Sequence, residues 1–140
     1  MDLLTWSDII IQIVLRLGPV WVALVTLFLV SFRFKRSLGL YGKLFDSTIG
    51  MIGFAIVMFW VFAGFFAGAL DWIITHDPLA QFSGMKNKVP GTPLRGAEDG
   101  DYSHFLFGGD HLARDVFSRM IAGSTIVIII APMATLFAFM

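Results

Sequence analysis

"STIGMIGFAIVMFWVFAGFFAGALDWII", residues 47–74, carries a single charge, Asp71, close to its end. A hydrocarbon core of about 30 Å needs roughly 20 helical residues at 1.5 Å each, so this stretch is long enough to cross a bilayer with some tilt. Working outward, two further apolar runs appear. One lies within Ile9 to Phe34 and is interrupted by Gln12 and Arg16. A span beginning near Leu17, with Gly18 and Pro19 at its start, leaves Arg16 outside the membrane. A span beginning near Ile9 requires Arg16 to snorkel. The other run, residues 121–140, is free of charge, of minimal length, and holds Pro132, which should kink the helix or free a carbonyl.

The whole composition agrees. The 140 residues are 57% hydrophobic and 14% charged, whereas soluble domains carry roughly 25% charged residues. Ten basic and ten acidic side chains give a formal net charge of zero, and no basic patch with interleaved aromatics suggests nucleic acid as a partner. The absence of cysteine excludes a disulfide framework, a thiol nucleophile and cysteine-ligated metal. The N-terminus carries Asp2 and Asp8 where a secretory signal would have bases, and is read as retained.

Charge placement sets an orientation. Arg33, Lys35, Arg36 and Lys43 crowd the short segment between the first two runs against the single acid Asp46. The positive-inside rule makes that segment cytoplasmic. The N-terminus and the polar stretch from Thr75 to about Arg119 are then extracytoplasmic. That stretch has turn signals in "VPGTP" and "EDGD" and no apolar periodicity, so it reads as an irregular exposed loop. Its length suits either a docking surface for a soluble partner or a solvated connector.

Past Gly108 and Gly109, the residues Leu112, Val116, Phe117, Met120 and Ile121 recur at helical spacing. Asp110 is the expected N-cap. Asp110 with Arg114, and Asp115 with Arg119, form acid-first pairs four residues apart, each worth roughly 0.2–0.5 kcal/mol on an exposed helix. This predicts a short amphipathic helix over 110–120 lying at the interface. His104 and His111 raise a metal-dependent hydrolase reading, but no three or four ligands converge when both acids have arginine partners. No catalytic residue, metal site or cofactor is expected. In the second run, "GFFAG" sets Gly64 and Gly68 four apart beside Ala63 and Ala67, a surface that another helix can approach closely. Asp71, beside Trp72, reads as an interfacial, solvated acid rather than an intramembrane functional one.

"FGGDHLARDVFSRMIAG", residues 107–123, resembles a segment of inner-membrane permease subunits of the dipeptide, oligopeptide and nickel class of binding-protein-dependent ABC transporters. Gly108, Asp110, Arg114, Asp115, Val116, Ser118, Arg119 and Gly123 match its pattern. Gly109, Ala113 and Thr125 stand where the family usually has threonine, glycine and arginine. The resemblance covers about Phe45 to Met140, and "HDPLAQF" also sits where such subunits often have Asp-Pro.

The apolar runs and charge placement give an all-α integral membrane protein with about three transmembrane helices, a long extracytoplasmic loop and a short amphipathic interfacial helix; the family's remaining helices are absent. The organisation is an extra N-terminal segment over 1–34, a cytoplasmic loop over 35–46, a span over 47–74, a loop over 75–109, the amphipathic helix over 110–120, and the start of a further span over 121–140. With no anchoring residues after Met140, the chain is expected to be the front part of a longer permease, multi-pass in the bacterial inner membrane. The implied partners are a second permease subunit, two cytoplasmic ATPase subunits, an extracytoplasmic solute-binding protein and the lipid bilayer. ATP hydrolysis belongs to the partners, so the chain itself is not an enzyme. The alternative function is a small non-enzymatic membrane scaffold that binds partners through its glycine face and loop.

Overall fold

Residues 2–140 are described by a computed structural model. The chain is mostly helical, at 59% of residues. Helix α1, Trp6–Arg16, opens on a reciprocal cap in which Thr5 Oγ1 accepts from the Asp8 amide at 3.3 Å and Asp8 Oδ2 accepts from the Thr5 amide at 3.4 Å. It ends because Pro19 lacks an N–H and its ring excludes the carbonyl four residues back. Proline is welcome in the first turn of a new helix. The chain therefore breaks at Leu17 and restarts as α2, Gly18–Arg33, bent 58° from α1.

A tight turn follows, made of a 3-10 turn at Lys35–Ser37, the short α3 at Leu40–Lys43 and a second 3-10 turn at Leu44–Asp46. Gly42 closes it, since a Cβ there would strike the Lys35 carbonyl. Lys35 and Asp46 form an ion pair across it. Phe45 is buried edge-on against Phe28, Phe32, Tyr41 and Phe54, which ties the turn to the facing helices.

Helix α4, Thr48–Gly68, is capped by Ser47, whose Oγ accepts from the Gly50 amide at 3.3 Å. Helix α5 spans Val116–Phe139 and continues through Pro132. These two have mean hydropathies of 2.3 and 2.1 over their most apolar windows, only 11% of each window being buried within the chain. Helices that turn so much apolar surface outward are suited to lipid rather than water. Both are long and apolar enough to cross a membrane, and α1 with α2 adds a third candidate only if the bent pair counts as one span.

The α4–α5 seam is built on small residues. Ala63 and Ala67 are fully buried, a Cβ on Gly64 would meet the Ser124 backbone at 3.0 Å, and one on Gly68 would strike the Thr125 side chain. Thr125 Oγ1 donates to the Gly64 carbonyl at 2.9 Å across the seam. On the other side of α4, Trp21 of α2 packs on Phe59 with centroids 5.3 Å apart.

Two boundaries differ from the sequence reading. Helix α4 ends at Gly68 rather than continuing to Ile74, and Asp71 takes a left-handed φ of 51° as the chain turns away. The stretch that follows is a folded cap rather than an irregular exposed loop. Its strands β1, Thr92–Pro93, and β2, His104–Phe105, pair antiparallel, with Thr92 opposite Phe105 and Pro93 opposite His104. Met85, Leu94 and Phe105 are buried together beneath them, with Phe82 packed alongside.

Candidate functional site

The cap is fastened to the first turn of α5 by buried polar side chains. Asp115 is the N-cap of α5, with an extended backbone (φ −71°, ψ 113°) and Oδ1 accepting from the Phe117 amide at 3.1 Å. That conformation turns its side chain inward, where it is fully buried. Oδ2 accepts from Thr75 Oγ1 at 2.6 Å and from Ser118 Oγ at 2.8 Å, and faces His76 Nδ1 at 2.8 Å. Ser118 Oγ in turn accepts from the backbone amides of Thr75 and His76 at 3.2 and 3.0 Å. His76 Nε2 donates to the Tyr102 carbonyl at 2.9 Å. Both ring nitrogens thus face oxygens, which fixes the ring between the cap and the start of α5. Among the described residues, no buried side-chain polar atom lacks a partner.

A second ring of contacts brings α1 to the same place. Arg16 Nη2 donates to the Ile74 carbonyl at 2.7 Å, and its guanidinium lies 5.6 Å from the centre of the Tyr102 ring. The Tyr102 hydroxyl bonds to Gln12 Oε1. Burial pushes the Tyr102 phenol above its ordinary range; the Arg16 charge opposes this and the Asp115 charge adds to it. Arg16, at the end of α1, is thus tied to the chain that follows α4 through the Ile74 carbonyl.

No family model, curated protein or solved structure matches the chain.

The expected helix over 110–120 is corrected by the structure, because α5 begins only at Val116 and Asp110 caps no helix. Residues 110–114 form a turn in which Asp110 Oδ1 accepts from the Leu112 and Arg114 amides at 2.8 and 2.9 Å, and Ala113 has a left-handed φ of 60°. The Asp110–Arg114 ion pair is present at 2.9 Å. The expected Asp115–Arg119 pair is replaced, since Arg119 Nε lies 3.8 Å from Asp110 and its Nη1 donates to the Pro78 carbonyl at 3.4 Å. Gly108 and Gly109 let this turn lie flat on the segment before β1, where a Cβ on either would strike the Lys88 or Met85 carbonyl. Gly123 has open space around it and lines a groove of about 710 Å³ between α4 and α5.

Desolvation works against the Asp110 charge, but the Arg114 and Leu112 amides and the Arg114 guanidinium outweigh it and hold the carboxyl below its ordinary value of 3.8. A carboxylate depressed by folding favours the fold above its unfolded value and loses that contribution as pH falls through the folded one. The carboxyl-carbon NMR signal of Asp110 is expected to titrate below 3.8, and Arg114→Gln should move its midpoint upward. A wild-type midpoint at or above 3.8 would rule out the turn as described.

Ser118, His76 and Asp115 are not ordered as in an activated-serine triad. An activated serine needs its hydroxyl bonded to a histidine nitrogen with the acid behind the ring. Ser118 donates instead to Asp115, and His76 Nε2 is occupied by a backbone carbonyl. His104 is bonded to Ser103 Oγ at 2.8 Å and His111 is exposed, so they do not converge. Among the described residues, no cluster of three or more histidine or carboxylate ligands is placed to hold a metal. Thr75, His76 and Tyr102 were missed by sequence reasoning because they lie 40, 39 and 13 positions from Asp115, in segments that carry only turn signals.

Proposed function

We propose that the chain is part of the permease of a binding-protein-dependent ABC importer for peptides or similar small solutes, embedded in the bacterial inner membrane. In this reading α1 and α2 form a broken first span, α4 the second and α5 the third. The basic turn over 35–46 faces the cytoplasm, and the N-terminus and cap lie outside, where the cap meets a solute-binding protein. A second permease subunit completes the pathway, and two ATPase subunits supply the energy.

One observation carries the reading: the residues of the permease-like segment make the joint between the cap and the start of α5. Asp115 and Ser118 are its buried centre, while Asp110, Arg114 and Arg119 shape the turn beside it. A segment that sets the angle at which a helix leaves its cap suits a transporter, whose helices must keep register while access alternates. Charge placement agrees, with Arg33, Lys35, Arg36 and Lys43 all at the helix ends remote from the cap.

Affinity purification of the tagged chain from its native membranes tests this. Recovery with a second permease-like subunit and two ATPases is expected. A chain that returns only with itself, or with non-transport membrane proteins, would replace this reading with the scaffold.

A further inference from the structure

The turn joining α2 to α4 does more than mark an orientation. Arg33, Arg36 and Lys43 have no acidic partner there among the described residues, because the one acid, Asp46, is held by Lys35. Lys35, Arg36, Lys43 and Asp46 line a cavity of about 450 Å³. A second hollow of about 400 Å³, which includes Arg33, shares Lys35 and Arg36 with it. Glycine shapes the first. Gly39 takes φ 56°, ψ −123°, a conformation open essentially only to glycine, and Gly42 passes too close to Lys35 for any side chain.

Apolar residues flank the lining positions along the chain, and Phe34 lines the second hollow. Leu40 is 81% exposed and Phe34 54%, with Leu38 and Leu44 also exposed. Water would disfavour such residues beside a cluster of cations. A ligand with an anionic head and hydrocarbon tails suits both halves at once, and the turn lies at the end of the apolar helices, where such head groups sit. A free phosphate would use the cations and leave the leucines unexplained.

We propose that this turn is a binding site for one anionic phospholipid, its phosphate held by Arg36 and Lys43 and its acyl chains lying against Leu40 and Phe34. The site rests on the membrane reading above but not on the transporter assignment.

The test uses the whole chain in neutral detergent micelles, titrated in parallel with phosphatidylglycerol, phosphatidylcholine and inorganic phosphate, with bound lipid counted by native mass spectrometry. Preferential retention of a single phosphatidylglycerol is expected. Arg36→Gln with Lys43→Gln should weaken it about 30-fold, and Arg36→Gln alone about fivefold, at roughly fivefold per basic side chain near a head group. Lys35 is left in place so that its ion pair still closes the turn, and circular dichroism should report unchanged helicity. Lys86→Gln with Lys88→Gln, in the cap, should change nothing. Equal binding of phosphatidylcholine, undiminished phosphatidylglycerol binding by the folded variants, or displacement by millimolar inorganic phosphate would each overturn the site. A chain that stays soluble without detergent and binds neither lipid would overturn the membrane reading and the site together.

Discussion

Asp115→Ala is expected to destabilise the chain by about 3–5 kcal/mol, because it leaves several buried donors without their shared acceptor and removes a helix cap. The substitution strips Thr75, His76 and Ser118 of their common acceptor and leaves the Phe117 amide without its cap. Arg119→Ala should cost less than about 1 kcal/mol, because its ion-pair contact is long and partly exposed. The contrast is the informative part. If Asp115 and Arg119 were a surface pair on one helix, the two truncations would each cost roughly 0.2–0.5 kcal/mol. Denaturant unfolding in micelles measures both. Limited proteolysis adds a local readout, since cleavage should rise within residues 75–115 while α4 and α5 stay protected. A loss below about 1 kcal/mol for Asp115→Ala would mean that the buried network does not hold the cap.

The same contrast explains what could be read from the sequence. Apolar runs survive translation into structure because lipid-length helices need only local hydrogen bonds and outward apolar faces, and α4 and α5 follow directly. The break before α2 was also legible, since Gly18 and Pro19 act locally. Spacing of four fails at Asp115 because it presumes helical backbone on both sides, and an N-cap residue is extended. Asp110 and Arg114 meet all the same, because the turn brings the Asp110 amide within 3.0 Å of the Arg114 carbonyl.

The cap was illegible for a different reason. Met85, Leu94 and Phe105 are single apolar residues scattered among glycines and prolines, and a core assembled from such pieces has no period. Arg16 belongs with it. Its role follows from where α4 stops, at Gly68, and from the turn at Asp71 that carries Ile74 to it.

Gly64→Leu is expected to cost about 2–3 kcal/mol, at the upper end of the range for overpacking a tight seam. The Ile128 side-chain end can move aside, but the Ser124 backbone also lies over Gly64, so a leucine there requires α5 to shift away. Withdrawal also breaks the Thr125 bond to the Gly64 carbonyl and pulls the first turn of α5 away from the cap, so the seam and the buried network should fail together. Gly53→Leu and Gly123→Leu are the matched controls, because both glycines have open space around them. Neither should alter unfolding of the isolated chain by more than about 0.5 kcal/mol. Gly123 has a second use. It lines the groove between α4 and α5, so Gly123→Leu should fill that groove while leaving the isolated chain intact. Equal losses at Gly53, Gly64 and Gly123 in the isolated chain would mean that bulk alone, rather than the α4–α5 contact, sets the cost.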